Sequence, residues 1–100
     1  MIPLEEIRGA RERIGGDVLR TPLVPFGTDE RIRLKLECLQ PVGSFKLRGA
    51  LSAVRAASPE EVVSGVVTAS AGNMAQGVAW AAREAGVPAR VICPEGAPRA

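Results

Sequence analysis

The stretch VVTASAGNMAQGVAWAAREAGVPARVIC, residues 66–93, decides the fold class. Val66-Val67-Thr68-Ala69 is a short apolar run rich in β-branched residues, which predicts a buried strand. Ser70-Ala71-Gly72-Asn73 is a turn of small residues. Met74 to Ala85 is alanine-rich and helical, and Gly86 with Pro88 closes it. Ala89-Arg90-Val91-Ile92-Cys93 predicts a second strand, ended by Pro94-Glu95-Gly96. Strand, helix and strand joined by short loops predict a right-handed parallel crossover, and hence an α/β protein. Parallel sheets are covered on both faces, which needs more elements than these residues supply. Ala97-Pro98-Arg99-Ala100 reads as the start of another helix. The chain is therefore expected to be a fragment of a longer protein.

Upstream, Ser58-Pro59-Glu60-Glu61 is a helix-start signature, with Ser58 as N-cap and Glu61 at the reciprocal capping position. Before it, Ser44 is the expected N-cap of a helix running to about Ala57, with Phe45, Ala50, Leu51 and Val54 as apolar members. Leu39-Gln40-Pro41-Val42-Gly43 is the turn that leads into it. Ile32 to Cys38 alternates: Ile32, Leu34, Leu36 and Cys38 face one way, and Arg33, Lys35 and Glu37 the other, which predicts a strand with one wet side. Residues 26–31 read as a turn and Asp17–Pro25 as a loop with short extended pieces. Leu4, Ile7, Ala10 and Ile14 mark one face of a helix over residues 4–14, stopped by Gly15-Gly16.

The bulk properties exclude several function classes. A net charge of +2 with interspersed signs, one Trp and no Tyr gives no footprint for nucleic acid or a membrane surface. No window is long and apolar enough for a transmembrane helix, and the acidic N-terminus lacks the apolar core of a signal peptide. Histidine is absent, which excludes Ser-His and Cys-His machinery and His-ligated zinc within these residues, and no metal site is expected. Cys38 and Cys93 stand apart, outside any Cys-x-x-Cys pair, and read as reduced, strand-borne thiols of a cytoplasmic protein.

Two places carry chemistry. Lys35 and Lys46 are the only lysines. Lys35 belongs to the wet face of a strand. Lys46 follows a turn that leaves a strand, where α/β proteins bind ligands, and an amine there can form an imine with a carbonyl such as that of pyridoxal phosphate. A single lysine near a helix start is ordinarily a solvated surface charge. The chemical reading gains from Phe45, a flat surface for a ring, and from Gly43 and Gly49, which leave room. Arg48 reads as a structural ion-pair or hydrogen-bond partner, and Met74 and Trp80 as helix-face packing. The turn 70–73 stands at the carboxyl end of a strand and the amino end of a helix, where unpaired N–H groups accept a phosphate or carboxylate. Taken alone it reads first as an ordinary N-capping turn, since Ser and Asn are common there. Together, the two places suit an imine-forming cofactor and an amino-acid carboxylate.

Ser44-Phe45-Lys46-Leu47-Arg48-Gly49-Ala50 resembles the cofactor-lysine motif of the serine/threonine dehydratase family, the type II fold of pyridoxal-phosphate enzymes. Ser70-Ala71-Gly72-Asn73-Met74-Ala75-Gln76-Gly77-Val78-Ala79 resembles the same family's substrate-carboxylate loop. Thr21-Pro22-Leu23, Lys35-Leu36-Glu37 and Pro94-Glu95-Gly96-Ala97-Pro98 follow its pattern in order. The resemblance implies open twisted parallel sheets with flanking helices in two domains. Residues 1–56 would begin the large cofactor-binding domain and residues 57–100 the small substrate-loop domain. It implies that Lys46 holds pyridoxal 5'-phosphate as an imine and acts as base at Cα. It further implies that Phe45 packs on the pyridine ring and that Asn73 hydrogen-bonds the phenolic oxygen. Ser70, Ala71, Gly72 and Asn73 would cradle the substrate carboxylate. The implied reaction is β-elimination from threonine or serine to a 2-oxo acid and ammonia. The whole enzyme would be a homo-oligomer with a small amino-acid substrate.

Two departures matter. Met74 stands where dehydratases of the family usually have His, which bears on substrate preference. Ala71 stands where its racemases carry a serine that moves a proton on the opposite face, which argues for elimination. The family's glycine-rich phosphate loop and its group facing the pyridine nitrogen lie beyond these residues, so this chain alone is expected to be inactive. A racemase or β-replacement synthase of the same fold, or a non-catalytic phosphate-binding module, are the alternatives.

Overall fold

The computed structural model describes residues 1–97. Helix α1 spans Leu4–Ile14, matching the 4–14 expectation. Strands β1 (Leu23–Phe26) and β2 (Asp29–Lys35) follow, then a 3-10 turn, Glu37–Leu39. Next come α2 (Lys46–Ala56), α3 (Pro59–Val62), β3 (Val66–Ala69), α4 (Asn73–Ala85) and β4 (Ala89–Ile92). The helix expected from Ala97 to Ala100 falls largely outside the described residues.

The crossover read from residues 66–93 is present. β3 and β4 pair in parallel, with Val66 opposite Ala89 and Ala69 opposite Ile92. The ladder is extended at both ends: Val66 N–H donates to Pro88 O at 2.9 Å, and Ser70 N–H to Ile92 O at 2.9 Å. Gly65 enters this ladder at φ 101°, and a Cβ there would stand 2.7 Å from Pro88 O, so only glycine lets the two backbones meet. The capping box at Ser58 and Glu61 is formed from both sides.

Five expectations need correction. β3 is buried on one face at most: Val66 and Thr68 are half-buried on the side where α4 packs, while Val67, 65% exposed, and Ala69 face away, where nothing among the described residues covers the two-stranded sheet. Residues 17–31 are more than loop and turn. Leu23–Phe26 pairs antiparallel with β2, Val24 opposite Leu34, with a register shift between Pro25 and Phe26. Proline tolerates this place because the strand is an edge and no ladder donor is missed. The strand predicted over 32–38 is displaced to Asp29–Lys35. Asp29 Oδ1 accepts the Arg31 N–H at 3.0 Å, which anchors its start, and Glu37 leaves the ladder for the 3-10 turn. Cys38 lies on that turn and Cys93 just past β4, so the thiols are exposed but not strand-borne. Finally, Ser44 is not the N-cap. Phe45 takes that position, while Ser44 Oγ still accepts the Lys46 N–H at 3.4 Å.

The core is a helix seam rather than a sheet face. Leu47, Ala50 and Leu51 of α2 pack with Ala81 of α4 and Ile14 of α1. Val54, Met74, Val78 and Trp80 close around them, so Met74 and Trp80 pack as expected. Leu47, at 0% exposure, replaces Phe45 as the apolar member at the head of α2. The spacing explains the exchange: Leu47, Ala50, Leu51 and Val54 share one helical face, and Phe45 precedes the helix. This seam brings the two chemically interesting helices together.

Candidate active site

Lys46 is the first residue of α2 and is half-buried. Its Nζ lies 4.8 Å from the centroid of the Phe45 ring, a cation–π contact, and Phe45 itself is 58% exposed. None of the ion pairs among the described residues involves Lys46. Lys35 differs. Its side chain reaches across the hairpin to donate to Thr21 O, so it is a tethered exposed cation rather than a merely solvated one.

The 70–73 turn is not capped by its side chains. Gly72 is the N-cap of α4 and Asn73 its first residue. Ser70 Oγ accepts the Gly72 N–H at 3.2 Å, inside the turn, and no side chain caps the helix. The Ala75 N–H turns back to Gly72 O at 3.0 Å, which leaves Asn73 and Met74 as the early N–H groups of α4 without an intrahelical acceptor, and the helix dipole makes that end positive. A Cβ built on Gly72 meets nothing within 4 Å, so the space before the turn is open. Ala71, Gly72 and Asn73 are exposed and Ser70 is half-buried.

Gly77 joins the two places. A Cβ there would stand 3.2 Å from both the carbonyl carbon and oxygen of Lys46. The second turn of α4 therefore lies directly on the lysine's own backbone. Asn73 is four residues earlier, about 6 Å along the helix axis.

Behind Lys46 sits a polar clamp. Arg48 Nε donates to Glu37 Oε2 and an Arg48 terminal nitrogen to Glu37 Oε1, each at 2.8 Å, and Arg48 also donates to Leu19 O at 2.8 Å. Thr21 Oγ1 donates to Glu37 Oε1. Gln40 completes the set: its amide nitrogen donates to Leu19 O at 2.8 Å, and its oxygen accepts the Leu19 N–H at 3.0 Å. Thr21 and Gln40 are buried. The Arg48 guanidinium, helped by Thr21 and Gln40, draws the Glu37 carboxyl down to about 2. The structural role expected for Arg48 is thus observed. Thr21, Glu37 and Gly77 belong to stretches that follow the family's pattern and Gln40 to the turn before α2, but none of the four carries a functional expectation of its own. The one available signal was Lys35-Leu36-Glu37, a carboxylate interrupting an alternating strand beside a lysine motif.

The clamp gives a pH prediction. The folded pKa of Glu37 lies below its unfolded value of 4.5. Its stabilisation is therefore full above that value and is lost as pH falls toward 2. Glu37→Gln is expected to cost on the order of 2–3 kcal/mol at neutral pH, since it strands a partly buried guanidinium. Denaturant unfolding of wild type and variant should give curves that converge as pH falls from 4.5 toward 2. A gap that stays constant over that range would remove Glu37 ionisation as the cause.

A family model for "Pyridoxal-phosphate dependent enzyme" matches residues 14–100. The chain belongs to the pyridoxal-phosphate dependent enzyme family. Within that family it is 47% identical over 103 residues to the L-threonine ammonia-lyase of Thermotoga maritima, covering 98% of this chain and 26% of that protein. It is 40% identical over 98 residues to the serine racemase of Arabidopsis thaliana, covering 93% of this chain and 30% of that one. Among solved structures, maize serine racemase superposes with a TM-score of 0.87 at 40% identity, covering 94% of this chain and 30% of that one. The chain spans about a quarter to a third of the length of the curated relatives it matches. The α/β fold expected from residues 66–93 is the fold of these pyridoxal-phosphate enzymes.

The residues present fit the family's cofactor. An aldehyde needs a primary amine, and the Lys46 amine is without a carboxylate partner among the described residues. Anionic oxygens need donors, and the open turn offers the Ala71 and Asn73 N–H groups, the Ser70 and Gly72 N–H groups being held by Ile92 O and Ser70 Oγ.

Proposed function

We propose that this chain supplies the cofactor lysine and the substrate-carboxylate turn of a pyridoxal-phosphate-dependent ammonia-lyase acting on threonine or serine. The observation that carries this reading is the contact of Gly77 with Lys46. Through it an amine without a carboxylate partner and an uncapped helix start belong to one site.

Each residue has a role on this reading. Lys46 would hold the cofactor by its aldehyde carbon through Nζ and, with its amine free, would take the Cα proton as a general base. Phe45, exposed and beside that amine, offers its ring to the pyridine face. The Asn73 side-chain amide would donate to the cofactor's phenolic oxygen. The Ala71 and Asn73 N–H groups, with the Ser70 hydroxyl, would hold the substrate carboxylate against the positive end of α4. When bound, the cofactor supplies an electron sink that makes the Cα proton removable. Loss of the β-hydroxyl with a proton as water, then hydrolysis of the released imine by one water, would give a 2-oxo acid and ammonia. Residues 1–56 begin the large domain on this reading and residues 57–100 the small one. The α2–α4 seam then lies between them.

The choice of reaction rests on Ala71. Its methyl group cannot carry a proton on the face opposite Lys46, which favours elimination. A racemase is the second reading, favoured by the likeness to serine racemases. Product analysis of the full-length enzyme separates them. L-threonine or L-serine is expected to yield 2-oxo acid and ammonia in equal amounts. A D-amino acid formed without 2-oxo acid would replace the first reading by the second.

A further inference from the structure

Gly77 lies in the interior of α4, where glycine is worse than alanine by about 0.8–1 kcal/mol on helix propensity. Propensity alone would make Gly77→Ala stabilising. The packing opposes it. A Cβ at this position meets the carbonyl carbon and oxygen of Lys46 at 3.2 Å and Ala50 Cβ at 3.4 Å. Two of these three atoms are the backbone of the lysine itself.

That backbone is poorly able to give way. One residue on, Leu47 is fully buried, and two residues on, Arg48 is fastened to Glu37 and to Leu19 O. On the other side, Ala50 is also buried. A methyl group at position 77 must therefore be accommodated by α4. The 70–73 turn leads directly into α4, so displacing the helix displaces the turn relative to Lys46.

We propose that Gly77 is a positioning residue, whose missing side chain sets the separation between Lys46 and the 70–73 turn and so the fit of the amino-acid carboxylate. This rests on the ammonia-lyase reading of the site. Gly77 touches neither cofactor nor substrate; it acts through the seating of α4 on α2.

The test uses full-length holoenzyme and L-alanine, an amino acid without a β-leaving group, titrated through the change in cofactor absorbance. Gly77→Ala is expected to retain the cofactor band while its L-alanine dissociation constant rises about tenfold, as small misplacements of a bound group do. Gly9→Ala, a helix glycine in α1 whose nearest prospective neighbour is the Arg13 side chain at 3.5 Å, serves as control and should bind L-alanine as wild type does. A lower melting temperature with an unchanged L-alanine dissociation constant would mean a merely structural glycine and overturn the proposal. Wild-type behaviour in both would overturn it equally. Should Gly77→Ala not accumulate as folded holoenzyme, the pair Gly77→Ala/Ala50→Gly, which returns the volume of one methyl, is read by the same criteria. Lys46→Ala keeps the two claims separate. If its cofactor band survives, the parent reading fails. If that band is lost while Gly77→Ala binds L-alanine normally, only this inference fails.

Discussion

Replacing Lys46 by alanine in the full-length enzyme is expected to abolish the visible cofactor band and to lower turnover by about a thousandfold or more, since on the proposed reading nucleophile and base are removed together. The protein itself should remain folded. Lys46 stands at the head of α2, half-buried, and its amine makes a cation–π contact with Phe45 but no ion pair among the described residues. Removing it therefore leaves no carboxylate stranded there. Thermal unfolding of the apo-protein should show a midpoint close to wild type, while absorbance and ammonia release both collapse. Arginine should not rescue, because a guanidinium stays protonated and cannot form the bond to the aldehyde carbon. A variant that lost its fold along with its band would point instead to a structural lysine.

Leu47→Ala is expected to have the largest effect on stability, about 3 kcal/mol, by lost burial and by the cavity left in a close-packed seam. Leu47 is fully buried and shares its cluster with Ile14, Ala50, Leu51 and Ala81. Several of its neighbours are alanines, whose short side chains leave the cavity little means of collapsing. Urea unfolding followed by far-ultraviolet circular dichroism measures the loss. A cost below 1 kcal/mol would show that the α2–α4 seam is not the core on which the site is built. Leu47 is also the residue after Lys46. The variant should therefore weaken cofactor retention even where the protein stays folded, which cofactor dialysis reads directly.

The sequence was most informative where local chemistry alone decides structure. Helix α1, the capping box at Ser58 and Glu61, and the β3–α4–β4 crossover each depend on residues within a few positions of one another. The hairpin was not legible, because Pro22 and Pro25 read as loop residues and its pairing runs along an edge where proline costs little. Burial of β3 was misjudged because apolar content reports what a strand can cover, not what covers it. In the site, Lys46 and the 70–73 turn could be picked out from residue type and place. Their connection could not. Gly77 is a lone glycine in a helix, and nothing near it in sequence names Lys46 as its neighbour. Arg48 was read as half of an ion pair, yet its partner Glu37 is eleven residues away across a turn, outside any helical or strand period.

The most direct test of the central claim is borohydride reduction of the full-length enzyme with its cofactor, followed by proteolysis and mass spectrometry of the modified peptide. The phosphopyridoxyl group is predicted on Lys46. Its appearance on Lys35 or on a lysine outside these residues, with Lys46 unmodified, would contradict the account.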